Sequence, residues 1–168
     1  MRRMHSRAAE LARTLALQPH PEGGAFREVF RASAAVSDAA GATRAAMTHI
    51  YFLLAEGQHS RWHRVAQDEV WNFYEGDPLE LCWIAPDWGR IVRRRLSLTG
   101  VRREPVAVVP AGCWQMARAT GAYALAGCTV APGFEFADFT LLADDPEASA
   151  RLEREHPGET RFLAPAAP

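Results

Sequence analysis

His63 and Glu69 are the residues whose types and spacing best suit proton chemistry in this chain. An imidazole titrates near neutrality, and a carboxylate beside it fixes its tautomer and stabilises the imidazolium, so such a pair takes and gives protons. His63 is read as base or hydrogen-bond anchor and Glu69 as its orienting partner. A phenol across the pocket, Tyr51 or Tyr123, would return a proton to the opposite face of a substrate. Gln115 offers a donor and an acceptor to a polar ligand, and Trp71 and Phe73 offer walls for stacking a sugar ring or a flat heterocycle. The competing use of the same groups is a metal centre, which needs about three ligands on one ion. His63 and Glu69 would supply two of them, with Gln115 as a weak third ligand or His49 as a substitute. His59 precedes His63 by a separation of roughly 13 Å in an extended strand, too far to share the ion. The set is incomplete and no metal ligand is assigned. The plainest use is structural: a His63–Glu69 pair inside a binding barrel, with the aromatic rings as core.

These side chains must be placed by strands. Residues two apart in a strand share a face, so His63 and Val65 lie together, as do Glu69, Trp71 and Phe73. Two strands joined at Ala66-Gln67-Asp68 would bring both sets inward. Met47 to Leu54 is a further strand, with His49, Tyr51 and Leu53 on one face and Thr48, Ile50, Phe52 and Leu54 on the other. Apolar groups on both faces imply cover on both. Strands are also expected at 25–31, 79–84, 90–98, 106–109, 113–118, 123–130 and 134–142. Short strands at near-regular spacing, with turns between them, indicate an all-β sandwich or barrel. Residues 5–17 carry a helical stripe of Ala8, Leu11, Ala12 and Leu15, ended by Pro19. A polar helix is expected at 147–155. Residues 32–44 are small and polar, as in a surface loop, and the last residues, LAPAAP, read as a flexible tail. The Pro- and Gly-punctuated segment PHPEGG reads as a bend, with His20 and Glu22 as surface turn residues. Phe134, Phe136 and Phe139 are read as buried and Glu135 as outward-facing at the strand edge, with Glu135 or Asp138 binding an arginine across a dimer interface and neither catalytic.

The segment GQHSRWHRVAQDEVWNFYEG (Gly57 to Gly76) resembles the first cupin motif, G-x5-HxH-x3-E-x6-G, with Val65 at the second histidine. PAGCWQ (Pro110 to Gln115) resembles the core of the second motif, with Gln115 at its histidine. PHPEGG, IYFLL, HRVAQDEVWNFYEGDPLEL, VPAGCWQ and GCTVAPGFEFADF resemble, in that order, the Cupin-5 branch of the RmlC-like cupins. The resemblance spans roughly Leu11 to Leu142. It implies a double-stranded β-helix (the cupin jelly-roll barrel), a homodimer and a ligand inside the barrel. It names no reaction, because one fold hosts many. Three uses of the barrel are left open: binding a sugar, a nucleotide-like molecule or another polar or aromatic metabolite without turnover; metal-independent isomerisation or epimerisation through a histidine–carboxylate pair, as in cupin-fold deoxysugar epimerases; and divalent-metal catalysis with an incomplete ligand set. His49, Val65, Trp71, Phe73, Gln115 and Tyr123 are the ligand-contact candidates, and His63, Glu69 and Tyr51 the catalytic ones.

Composition narrows the classes further. The 168 residues are 48% hydrophobic with net charge −1, which suits one domain and gives no global field for nucleic acid or an anionic membrane. The basic side chains are all arginine, so lysine Schiff-base chemistry and a P-loop are excluded. Cys82, Cys113 and Cys128 are unclustered and read as buried reduced thiols, the pattern of a cytoplasmic protein. No cofactor is expected beyond the open question of a divalent metal. The organisation expected is an N-terminal helix over 1–18, a cupin domain over 19–142, and a C-terminal helix and tail over 143–168.

Overall fold

The computed structural model describes residues 5–38, 40–100 and 103–166. Two antiparallel sheets stack face to face, as a jelly roll requires. The first has the strand order β1 (Gln18–Pro19), β2 (Ala25–Arg31), β5 (Thr48–Ala55), β12 (Tyr123–Ala131), β7 (Asp68–Gly76) and β10 (Val106–Val109). The second runs β13 (Thr140–Leu141), β6 (His63–Arg64), β11 (Trp114–Ala119), β8 (Leu79–Ile84) and β9 (Val92–Leu96). Residues 32–44, expected as a loop, contain most of a two-stranded hairpin of β3 (Ala35–Ser37) and β4 (Thr43–Ala45). Small polar residues conceal it because neither strand buries a hydrophobic face. The last two residues of the expected tail lie outside the described ones.

Alternation decides what each strand contributes. Phe52 and Leu54 of β5, with Trp71 and Phe73 of β7, meet Leu79 and Leu81 of β8 and Ala117 of β11 in the central core. The opposite face of the second sheet carries Cys82, Ile84, Trp114 and Met116. These pack on Trp62, Leu142, Ala148, Leu152 and Phe162. Ala148 and Leu152 belong to α2 (Pro146–Glu155), which is N-capped by Asp145 accepting from the Ala148 amide at 3.0 Å and so satisfies one orphan donor of its first turn. On the outside of the first sheet, α1 (Ser6–Thr14) sets Leu11 against Leu53 and Leu125. Both faces of β5 are therefore covered near its C-terminal end. Cys82, Cys113 and Cys128 are buried free thiols.

Candidate functional site

The site is built where β2, β5, β6, β7 and β12 open at one end of the barrel. Thr48, Ile50, Val65, Glu69, Cys128 and Val130 point into a cavity of about 80 Å³. Phe26, Phe134, Phe136 and Phe139 form its aromatic walls, and His20, Glu22 and His63 complete the polar lining. Arg31, Glu28 and Glu135 stand at the mouth.

His63 is fully buried, and its partners define its tautomer. Nδ1 lies 2.7 Å from the Arg61 carbonyl, so Nδ1 carries the proton and donates. The Nε2 lone pair faces Oε2 of Glu22 at 3.1 Å. Burial pushes the His63 pKa down to about 4 and the Glu22 carboxyl well above its usual range, the latter helped by the nearby Glu69 charge. Burial thus favours the neutral form of both groups, with the His63 Nε2 lone pair set against the Glu22 carboxyl.

Glu22 was expected on the surface and is instead 5% exposed. The turn that carries it is folded inward by its own backbone. The Gly23 amide donates to the His20 carbonyl at 3.0 Å, the His20 amide to the Gly24 carbonyl at 3.1 Å, and the Arg61 amide to the Glu22 carbonyl at 2.7 Å. Gly23 and Gly24 take φ of +110° and +71°, and a Cβ on either would sit within 3 Å of a backbone oxygen, of His59 and Leu53 respectively. Only glycine gives this path at low cost. His20 turns in as well. Its side chain is 6% exposed, with Nδ1 accepting the Glu22 amide at 3.2 Å. Burial and the neighbouring His63 push its pKa down to about 3, so its 3.5 Å approach to Glu22 is no ion pair.

Glu69 lies on β7 and faces the cavity. Its Oε2 accepts from the Gln115 amide at 2.5 Å, while Gln115 Oε1 accepts from the Trp71 indole at 3.1 Å. Burial raises its pKa to about 7, against the opposing hydrogen bonds of Gln115 and Cys128. The thiol of Cys128 is itself held well above its usual range by burial and by the nearby carboxyls. At the mouth, Arg31 makes a bidentate pair with Glu28 at 2.9 Å and also donates to Glu135 at 2.7 Å and to the Phe134 carbonyl at 3.1 Å. Asp138 accepts from Arg44 and Gln67, which tethers the 134–139 segment over the cavity.

Among the residues singled out from sequence, the structure gathers His63, Val65 and Glu69 at the cavity. The partner of the imidazole is Glu22, and Glu69 is held by Gln115 instead. Gln115, Trp71 and Phe73 lie behind the cavity wall, with Trp71 and Phe73 in the central core. Gln115 reaches a ligand only through Glu69. Tyr51, Tyr123 and His49 project from the opposite face of the first sheet, so none of them faces the cavity. Tyr51 packs beside α1 with the Arg27 guanidinium over its ring, and Tyr123 donates to Glu75 at 2.8 Å. His49 bridges Thr129 and Tyr74. The reason is the pleat: Thr48, Ile50 and Phe52 take the inner face, which leaves the odd-numbered positions of β5 outside. Phe136, expected to be buried, is 54% exposed at the rim. The arginines that pair with Glu135 and Asp138 belong to the same chain. Sequence reasoning missed the roles of His20, Glu22, Phe26, Arg31 and Cys128; the legible signal was the Gly23-Gly24 pair beside two ionisable residues.

The donors present do not fit a divalent metal. Val65 presents aliphatic surface where a metal-binding cupin places an imidazole, and the Gln115 amide is spent between Trp71 and Glu69. Among the described residues, no three His, Cys, Asp or Glu side chains are grouped to hold one ion.

The comparisons with known proteins agree with this architecture. A Leishmania major hypothetical protein is similar over 93% of this chain and 96% of its own, at 30% identity and a TM-score of 0.78. A Shewanella oneidensis protein is similar over 95% and 98%, at 31% identity and a TM-score of 0.83. Oxalate decarboxylase from Bacillus subtilis shares the fold alone, at 14% identity and a TM-score of 0.55 over 83% of this chain and 34% of its own. Among curated proteins, none matches the chain. The family model described as Cupin superfamily (DUF985) matches residues 9–142, most of the chain and all of its barrel strands from β2 to β13, and the chain belongs to that family.

Proposed function

We propose that this protein binds a small molecule in the mouth of its barrel and moves a proton on it without a metal, an isomerase- or epimerase-type reaction. The observation that carries this reading is the buried Glu22 carboxyl set 3.1 Å from His63 Nε2 in a cavity that Glu69 also lines. Two carboxyls whose surroundings hold them at different pKa values are an acid and a base in one site. Glu69, with its pKa raised to about 7, is partly ionised at neutral pH and takes a proton from the ligand. Glu22, held protonated, returns one at a second atom and is left as a carboxylate hydrogen-bonded into the cluster. His63 keeps its Nδ1 proton on the Arg61 carbonyl and presents Nε2 to Glu22, which fixes where the Glu22 proton sits. It acts as a positioning residue. Proton transfer between Glu69 and Glu22 through solvent then resets the site, with no net gain or loss. Gln115 stabilises the ionised form of Glu69 and keeps it from rising further.

The test starts from ligand released by denaturing the purified protein and identified by mass spectrometry. That ligand, returned to the protein in D₂O, should acquire deuterium at one carbon that does not exchange without the protein, read by NMR. Glu22→Gln and Glu69→Gln should each bind the ligand and slow the exchange by roughly a hundredfold or more, the usual worth of a positioned acid or base. Chelator treatment should leave the rate unchanged. Exchange that survives both substitutions, or that a chelator abolishes, would overturn the reading. Tight binding with no exchange in the wild type would reduce it to a binding protein.

A further inference from the structure

We infer that the ligand presents a cationic, planar nitrogen group, such as an amidinium, guanidinium or protonated heterocycle, to the floor of this cavity. The inference rests on the cavity being the ligand site. It adds the charge and shape of what enters.

The argument is one of charge balance in a walled space. Glu22 and Glu69 are each more than nine-tenths buried and both line the cavity. Among the described residues, neither makes a hydrogen-bonded ion pair with a guanidinium. The Arg61 guanidinium acts on the Glu22 carboxyl only through space, while its Nη2 donates to the Pro21 carbonyl at 2.6 Å and its buried Nε has no partner. Apart from Arg31 at the mouth, the remaining ionisable groups lining the cavity do not supply positive charge. His20 and His63 are held neutral by burial, and Cys128 is held as a thiol. At the mouth, the Arg31 guanidinium spends four of its five N–H donors on Glu28, Glu135 and the Phe134 carbonyl, and its charge is matched by the two carboxylates. The cavity therefore offers acidic oxygens and no free cation among its described lining residues. An anionic ligand would meet the partly ionised Glu69 and find no unpaired cation to offset its desolvation.

The walls point the same way. Phe26, Phe134, Phe136 and Phe139 turn ring faces and edges toward the cavity, and His20 and His63 stack on Phe136 and Phe139 at ring separations of 6.1 and 5.6 Å. Aromatic faces attract cations and stack on flat groups. A delocalised planar cation meets both the rings and the carboxyl oxygens. A compact, strongly hydrated ammonium gains less from the rings. Such a cation also suits the proposed chemistry: positive charge on nitrogen acidifies the adjacent C–H or N–H that Glu69 would deprotonate.

Benzamidine, benzamide and benzoate are near-isosteric planar probes of charge +1, 0 and −1, and their binding to the wild-type protein at pH 7.5 tests the inference by ligand-observed NMR and calorimetry. Benzamidine should bind roughly tenfold or more tighter than benzamide, and benzoate weakest of the three. Glu69→Gln should shrink the benzamidine preference severalfold, and Glu22→Gln serves as the second variant if the first does not fold. Equal binding of the three, or a preference for benzoate, overturns cation recognition while leaving the cavity as a ligand site. Binding of none also overturns it, and the exchange experiment, run with the co-purified ligand, decides the proton-transfer reading separately.

Discussion

Replacing Glu69 by Gln should change how stability depends on pH more than it changes stability itself. Glu69 sits in the folded protein with a pKa of about 7, against an ordinary value of 4.5, because burial disfavours its charge. Between those two values the folded state holds a proton that the unfolded state has released, so stability falls as pH rises. The stabilising contribution is complete below pH 4.5, is lost progressively toward pH 7, and is gone above it. Each pKa unit corresponds to about 1.4 kcal/mol, so from pH 5 to pH 8 the loss is about 2 to 3 kcal/mol. His63 and His20 push the other way: with pKa values lowered to about 4 and 3, they add stability as pH rises toward their unfolded values. The wild-type profile mixes these effects, whereas its difference from Glu69→Gln isolates one carboxyl. The glutamine keeps an oxygen for the Gln115 amide, so the hydrogen-bond geometry survives. Urea unfolding of both proteins at several pH values, with unchanged m-values, gives the difference directly. Glu69→Gln should gain on the wild type by about 2 to 3 kcal/mol between pH 5 and pH 8. Parallel profiles would refute the claim that Glu69 is protonated by burial, and with it the acid–base assignment.

Gly24→Ala should cost about 2 kcal/mol through strain at positive φ and close approach of its Cβ to the Leu53 oxygen and Leu54 side chain; a thermal midpoint within a degree of the wild type would contradict the inward path of the turn. Asp145→Ala should cost about 1 kcal/mol by leaving the first turn of α2 uncapped, measurable as a fall in midpoint of roughly 2–4 °C. Leu152→Ala removes a fully buried side chain from the layer under the second sheet and should cost about 2–5 kcal/mol in urea unfolding. Gln115→Leu should raise the Glu69 pKa further by deleting the amide that supports its ionised form, shifting the alkaline-going limb of the exchange-rate profile to higher pH; an unmoved profile would show that Gln115 does not act through Glu69.

The barrel was legible because its strands obey the period-two rule and bury what alternation says they bury. Glu69, Trp71 and Phe73 do share the inner face of β7, and His63 with Val65 reaches the cavity from the other sheet. The tyrosines show where that rule stops. Alternation separated Tyr51 from Phe52, but β5 is covered on both faces, by the core inside and by α1 near its end outside. Nothing local says which face is inward. Glu22 was illegible for a different reason. Its contact with His63 spans 41 positions of sequence and depends on an amide of Arg61 seizing the Glu22 carbonyl. A polar residue beside two glycines has the composition of an exposed bend, and only the tertiary contact reverses that.

The loss of two imidazole positions and the inward turn at Glu22 belong to one arrangement. A metal-binding barrel needs the Nε2 lone pair of His63 free to point at an ion and further imidazoles beside it. Here Val65 removes one such neighbour, Gln115 replaces another, and the His63 lone pair is met by a carboxyl, from a separate strand connection, whose neutral form burial favours. The same buried lone pair that would donate electrons to a metal instead faces a carboxyl oxygen at 3.1 Å. Charge neutrality explains why the cluster tolerates burial: a carboxylic acid on a neutral imidazole avoids placing either ion in a low-dielectric site. It also explains what would disturb the balance. A cation arriving between Glu22 and Glu69 makes ionisation of either acid favourable, so ligand charge and proton release become one event, and the acid that yields its proton is decided by which carboxyl the cation approaches.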